Sequence, residues 1–196
     1  NIIGVAMLKD EIELRERARR LNIGVEHVVR DVLQARLIGA VFSASAGELV
    51  LKGGLAMRTS HRSQRYTKDV DLQTGPQVPQ ARVTGIIRKA LKQAAETGFL
   101  KQVSITEPKQ TDTVQRWKVA GVVGSSHINM TVEVSRRGLP PPEDLVTTQV
   151  VDLAGQARPV YSYSASAIAA SKVVALVAPN RVARSEEHTS ELQSHL

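Results

Sequence analysis

Cysteine is absent from all 196 residues, which excludes a disulfide framework, a thiolate zinc site and a cysteine nucleophile, and suits a reducing compartment. Aromatic residues are scarce as well. Phe42, Tyr66, Phe99, Trp117, Tyr161 and Tyr163 make up 3% of the chain and are too scattered to form a platform on which bases stack. No apolar run approaches the roughly 18 residues that a membrane-spanning helix needs. The first residues also lack the basic-then-apolar pattern of a secretion signal, so the expectation is a soluble, cytoplasmic protein with no membrane partner. A Walker phosphate loop, a Rossmann glycine fingerprint and a serine-nucleophile elbow are all missing. His27, His61 and His127 lie at spacings that do not suit a zinc triad.

What the chain does hold is 42% apolar residues and an excess of positive charge, 26 Lys and Arg against 19 Asp and Glu, for a net +7. The apolar content is enough for one real core at about 150 residues per domain. The charge favours polyanionic partners such as nucleotides or RNA without naming one. Residues 184–196 resemble the in-frame translation of a short-read sequencing adapter and are set aside from fold reasoning. One domain is therefore expected over residues 1–183. Removing the tail, with its one Arg and three Glu, raises the net charge to +9.

Hydrophobic periodicity organises that domain. Leu14, Ala18 and Leu21 predict a surface helix within residues 6–21. Val25, Val28, Val29, Val32, Leu33, Leu37, Ala40 and Val41 predict a second helix, with Glu26, Arg30, Asp31 and Gln34 on its other side. Residues 49–51 read as a strand, Gly53 and Gly54 as a tight turn, and residues 55–62 as a helix, with a second strand at 69–72. Val83, Ile86, Ile87, Ala90, Leu91, Ala94 and Ala95 form the best amphipathic pattern, and Gly98 stands where a C-terminal cap is expected. The runs QRWKVAGVV and HINMTVEVS, joined by GSS, predict a hairpin. A rigid proline loop at 140–144 and short strands near 147–153 and 158–163 follow. A last helix is expected from Ser164 to Ala178, ended by Pro179.

Chemistry concentrates between residues 53 and 71. Asp69 and Asp71 alternate with Val70 and Leu72, so on a strand both carboxylates leave one face about 7 Å apart. Their repulsion is relieved by a raised pKa or by a divalent cation. Mg²⁺ takes few protein carboxylates and completes its shell with water and phosphates, so an aspartate pair at a strand end is a suitable seat for metal-bound NTP. Gly53 and Gly54, between a strand and a helix, let backbone N–H groups approach phosphate at the positive helix end. Glu133 is the candidate third carboxylate for the metal, because Asn129, Thr131 and Glu133 share the face opposite Ile128, Met130, Val132 and Val134; it reads equally as a glutamate on the wet side of a hairpin. Arg58, Arg62, Arg65 and Lys68 crowd the same segment, and Arg65 is the one assigned to nucleotide binding. Lys172 lies about 40° around its helix from Ile168 and Leu176, so its ammonium leaves an apolar stripe, either snorkelling to water or meeting a triphosphate.

LVLKGGLAMRTSHRSQRYTKDVDLQT, residues 49–74, resembles the signature of the AbiEii/AbiGii nucleotidyltransferase toxins, in which a strand, a Gly-Gly turn and a helix precede an Arg, a Thr and a DxD strand. The resemblance covers residues 20–180 or so. It implies an α/β fold of the DNA polymerase beta-like nucleotidyltransferase type, a mixed sheet flanked by helices, and Mg²⁺-dependent transfer from an NTP to the acceptor end of tRNA, with a cognate antitoxin as partner. Asp69 and Asp71 match the metal-binding pair, Gly53 and Gly54 the phosphate-cradling turn, and Lys172 the lysine of a later helix. Two departures stand out. Leu55 replaces the Ser or Thr that often follows the glycines, and the family's Arg-Asp pair and acidic residue downstream of the lysine helix are not reached before the adapter-like tail, so a C-terminally truncated catalytic set is expected.

The expected function is therefore Mg²⁺-dependent transfer of a nucleotide from an NTP to an acceptor hydroxyl, with Asp69, Asp71 and Lys172 as catalytic residues and Gly53, Gly54, Arg65 and Lys172 binding the nucleotide. The alternatives are a transferase that phosphorylates or nucleotidylates a protein side chain, and a non-catalytic basic RNA-binding module.

Overall fold

The computed structural model describes residues 10–177. The adapter-like tail, Ala178, Pro179 and the first four residues of the predicted 6–21 helix lie outside that range. Helix α1 (Glu11–Leu21) begins where Asp10 accepts the N–H of Glu13 at 2.9 Å and ends at Asn22 in the left-handed region, φ 53°. It packs through Leu14 and Ala18, while Leu21, expected beside them, is exposed. Helix α2 (Val25–Ala44) follows, then β1 (Leu49–Lys52), α3 (Gly53–Ser60), β2 (Asp69–Thr74) and α4 (Gln80–Ala95). Strands β3 (Lys101–Gln110), β4 (Val114–Val123), β5 (Ser126–Ser135), β6 (Leu145–Val151) and β7 (Ala157–Tyr163) lead to α5 (Ala165–Val177), and the proline loop holds one 3₁₀ turn, Pro142–Asp144. No described helix is long and apolar enough to cross a membrane.

The strands form one mixed seven-stranded sheet in the order β3-β4-β5-β2-β1-β7-β6. Its centre is β2, antiparallel to β1 and parallel to β5. Because side chains alternate along a strand, Leu49, Leu51, Val70, Leu72, Trp117, Val119, Met130, Val132 and Val134 point to one face and are buried. That face joins the core residues of α2 and α4, among them Val29, Leu33, Leu37, Val83, Ile87 and Leu91. The other face carries Asp69, Asp71 and Glu133.

Three elements depart from their sequence-based expectation. α4 stops at Ala95, with Glu96 as its cap, and Gly98 lies beyond it; the chain must turn there to bury Phe99 and Leu100. β3 was not foreseen, because as an edge strand it is exposed along nearly its whole length and carries no core signature. The polar side of α2 is not solvated: Arg30, Asp31 and Gln34 are buried. Asp31 pairs with Arg58 of α3, whose guanidinium also stacks on Tyr66 at 4.0 Å; Gln34 Nε2 donates to the carbonyl of Thr67 at 3.1 Å, and Arg30 Nε donates to that of Asn129 at 3.1 Å. The Arg58 and Gln34 contacts anchor the irregular segment 61–68, which delivers the chain to Asp69, and the Arg30 bond ties α2 to β5.

Burial pushes the Asp31 carboxyl up against the opposing pull of Arg58. Truncation to Asp31→Ala leaves a nearly buried guanidinium without its anion, and urea unfolding is expected to register a loss of about 3–5 kcal/mol. The β6–β7 turn provides a separate test. Asp152 accepts from Arg158 Nε at 2.7 Å and from the backbone N–H groups of Ala154 and Gln156 at 2.9 Å each, which holds its carboxyl below the ordinary value of 3.8. A depressed folded-state pKa contributes stability that is present above the unfolded value and lost as pH falls through the folded one. Asp152→Asn is thus expected to be less stable than wild type at neutral pH, with a gap in unfolding midpoint that narrows below about pH 4.

Candidate active site

The pairing of β1 with β2 sets Lys52 opposite Asp71, so the chain leaves β1 beside that carboxylate. Its next residue, Gly53, has φ +68°, and a Cβ built on it would overlap Asp71 Oδ2. Glycine is therefore required twice at this position, by backbone conformation and by the carboxylate against it. α3 starts at once, and no side chain caps its N-terminus. The free N–H groups of its first turn and the Asp71 carboxylate thus border the same space. Leu55, where a hydroxyl residue was the alternative, is fully buried in the core. A hydroxyl nevertheless lies beside the bend: a Cβ on Gly54 would approach Thr67 Oγ1 to 3.2 Å, and that oxygen stands 3.3 Å from the N–H of Asp69.

The parallel β2–β5 pair sets Asp69 opposite Thr131 and Asp71 opposite Glu133, and the β4–β5 pair sets Glu133 opposite Arg116. One rung of the sheet therefore reads Lys52, Asp71, Glu133, Arg116, all on the face away from the helices. Asp69 is exposed and Asp71 half-buried. Burial raises the Asp71 carboxyl above the usual carboxylate range; Lys52 and Arg116 draw it down, while Asp69 and Glu133 push it further up. Glu133 Oε2 accepts from Arg116 at 2.5 and 2.9 Å, so its charge is partly answered from β4. Among the described residues no three His, Asp or Glu groups gather into a metal cluster. The arrangement offers a cation two carboxylates on one strand, with Glu133 one strand away.

Of the residues singled out in the sequence, Asp71 stands against Gly53, Asp69 follows on the same face of β2, and Gly54 adjoins Thr67. Arg65 is exposed in the segment before β2, its backbone N–H 3.3 Å from Ser63 Oγ, and its side chain makes no bond among the described residues. Arg58, grouped with it by sequence, is instead committed to Asp31. Lys172 is exposed on α5, with Ile168 buried and Val173 exposed; it makes no hydrogen bond or ion pair with the carboxylates among the described residues. Lys52 and Arg116 went unnoticed in the sequence. Lys52 had a signal, since it adjoins the glycines at a strand end, but Arg116 acquires its place only through strand register.

No curated protein matches the chain. It is similar to two Helicobacter pylori proteins of known crystal structure. One is assigned as a candidate nucleotidyltransferase, with 19% identity and a TM-score of 0.48 over 69% of this chain and 54% of that one. The other, JHP933, has 19% identity and a TM-score of 0.47 over 67% of this chain and 51% of its own. The chain thus spans about half the length of the solved structures it matches. The sequence model of the AbiEii nucleotidyltransferase toxins of type IV toxin–antitoxin systems matches residues 36–187, a span that takes in the glycine bend, the aspartate strand and the lysine helix. The chain belongs to the AbiEii nucleotidyltransferase toxin family.

Proposed function

We propose that this nucleotidyltransferase uses Mg²⁺ to transfer a nucleotide from an NTP to an acceptor hydroxyl, that of the 3′ end of tRNA. The observation that carries the reading is the contact between the Asp71 carboxylate and Gly53 at the uncapped start of α3. An acidic oxygen and a set of free backbone donors side by side suit a ligand with a cation at one end and phosphates at the other.

The donor set fits a hard divalent cation. Asp69 and Asp71 would hold it, in keeping with the small number of protein carboxylates that Mg²⁺ takes. Bound there, Mg²⁺ supplies a counter-charge to the triphosphate and a template for in-line displacement of pyrophosphate. Gly53, Gly54 and the first turn of α3 give N–H donors to phosphate oxygens, and the missing Cβ of Gly53 lets the Asp71 carboxylate stand beside those donors. Arg65 and Lys172, both exposed and without an ion pair among the described residues, supply mobile positive charge for the outer phosphates. Lys52 and Arg116 draw the Asp71 carboxyl toward its anionic form, against burial, Asp69 and Glu133. The acceptor hydroxyl then needs only alignment with the α-phosphate, and the catalytic effect is positioning and charge stabilisation.

Incubation of the chain with Mg²⁺, labelled NTPs and total tRNA tests the proposal. Labelled RNA with pyrophosphate release supports it. Labelled protein points to the side-chain-modifying alternative. RNA binding that needs no metal and survives Asp69→Ala, with no transfer, points to a non-catalytic module.

Two substitutions follow. Asp71→Asn keeps the shape and removes the charge, and it is expected to lower kcat/KM at least about 100-fold, as loss of a metal-holding charge worth several kcal/mol implies. Gly53→Ala forces a left-handed alanine, at about 1–2 kcal/mol, and pushes the Asp71 side chain away; nucleotide titration is expected to find NTP binding weakened about 10-fold, which corresponds to about 1.4 kcal/mol.

A further inference from the structure

We infer that the open face of β3, β4 and β5 is the seat of the acceptor's phosphate backbone, with Lys118 and Lys109 contacting successive phosphates of a single-stranded RNA end that leads to Asp69. The inference rests on the nucleotidyl-transfer reading and adds to it a docking surface and the residues that form it.

Register defines the face. From Asp69 outward, the pairs Asp69–Thr131, Thr131–Lys118 and Lys118–Thr106 form one row; from Asp71 outward, the pairs Asp71–Glu133, Glu133–Arg116 and Arg116–Lys109 form the next. Paired residues share a face, and with strands about 4.8 Å apart Lys118 stands about 10 Å from Asp69 across the sheet. None of Ser104, Thr106, Lys109, Lys118, Asn129 and Thr131 is buried, whereas their neighbours on the helix side, Trp117, Val119, Met130 and Val132, are. The helices thus cover one face of these strands and leave the other to solvent.

The charge of the exposed face is one-sided. Its carboxylate beyond β2 is Glu133, and Arg116 already pairs with it. Glu107 of β3 pairs instead with Arg88 of α4, on the helix side. Lys118 and Lys109 make no ion pair or hydrogen bond among the described residues, so their ammonium groups are available as point charges for phosphate. Around Lys118 lie the hydroxyls of Thr131 and Thr106, its partners on the two neighbouring strands, and, one row further from Lys109, the amide of Asn129. Cations set among uncharged donors and acceptors match a phosphodiester strand, and hydroxyl and amide groups can both donate to and accept from the 2′-OH that marks RNA.

The test measures binding of a fluorescent 12-nucleotide single-stranded RNA to the full chain by anisotropy across a salt series, without NTP. Lys118→Glu and Lys109→Glu are each expected to weaken binding about 10-fold at low salt and to reduce the salt slope by about 1. Lys89→Glu, an exposed cation on α4 behind the sheet, is expected to leave it unchanged. NTP binding should be the same in all three variants. The inference is overturned if Lys118→Glu and Lys109→Glu bind RNA like wild type, if Lys89→Glu loses as much as they do, or if a DNA strand of the same sequence binds equally well. Failure of the catalytic reading has a different signature: RNA binding that depends on Lys118 and Lys109, with no transfer and no metal-dependent NTP binding that Asp71→Asn removes.

Discussion

A carboxylate lies where a side chain would be if residue 53 were anything but glycine, and the architecture around the site follows from that. Asp71 Oδ2 occupies the volume of the absent Cβ, so a half-buried acid and the start of a helix are as close as covalent geometry allows. Burial of that acid has an electrostatic cost, visible in the raised Asp71 pKa. It is offset in part by Lys52, directly opposite on β1, and by the positive end of α3. A site that keeps an acid in such surroundings is one in which a cation gains more than it would in water, because screening falls as solvent is excluded.

Holding that contact requires the chain between α3 and β2 to be fixed although it has no regular structure. The polar groups on α2 do this. Asp31 fixes Arg58, Arg58 carries Tyr66 on its flat face, and Gln34 takes the carbonyl of Thr67. Buried ion pairs add little net stability compared with apolar packing, but once built they penalise every arrangement that leaves one partner alone. Their effect here is geometric, since they admit one path for the chain into Asp69.

The periodic part of the molecule was legible in its sequence: the helix patterns at 25–41 and 83–95, the 115–135 hairpin and the alternation in DVDL all correspond to observed elements. Illegible were the features that depend on partners distant in sequence. Arg30, Asp31 and Gln34 look like a wet helix face, because periodicity cannot separate polar residues that meet water from those that meet another segment's polar groups. β3 carries no burial pattern, since an edge strand beyond the helices has no dry side. The acidic pair and glycine bend could be read locally, because neighbours in sequence make them. Arg116, 17 residues from its partner Glu133, could be found only once strand register was known.

The net charge of the chain acquires a meaning only when it is divided by what each cation does. Every ion pair made by a basic side chain among the described residues takes its cation from arginine or histidine, in Arg15, Arg20, His27, Arg58, Arg82, Arg88, Arg116 and Arg158. None of the described lysines is paired. Arginine suits fixed pairing, since its planar fork matches a carboxylate and is pre-organised, whereas lysine is a compact charge on a flexible stem. The division separates structure from ligand. The paired arginines fix carboxylates within and between elements, whereas the described lysines, like Arg65, are left without an ion pair. Two of these, Lys109 and Lys118, lie on the side of the sheet that carries the aspartates, so the field that attracts a polyanion is directed at the site, although the site itself is acidic.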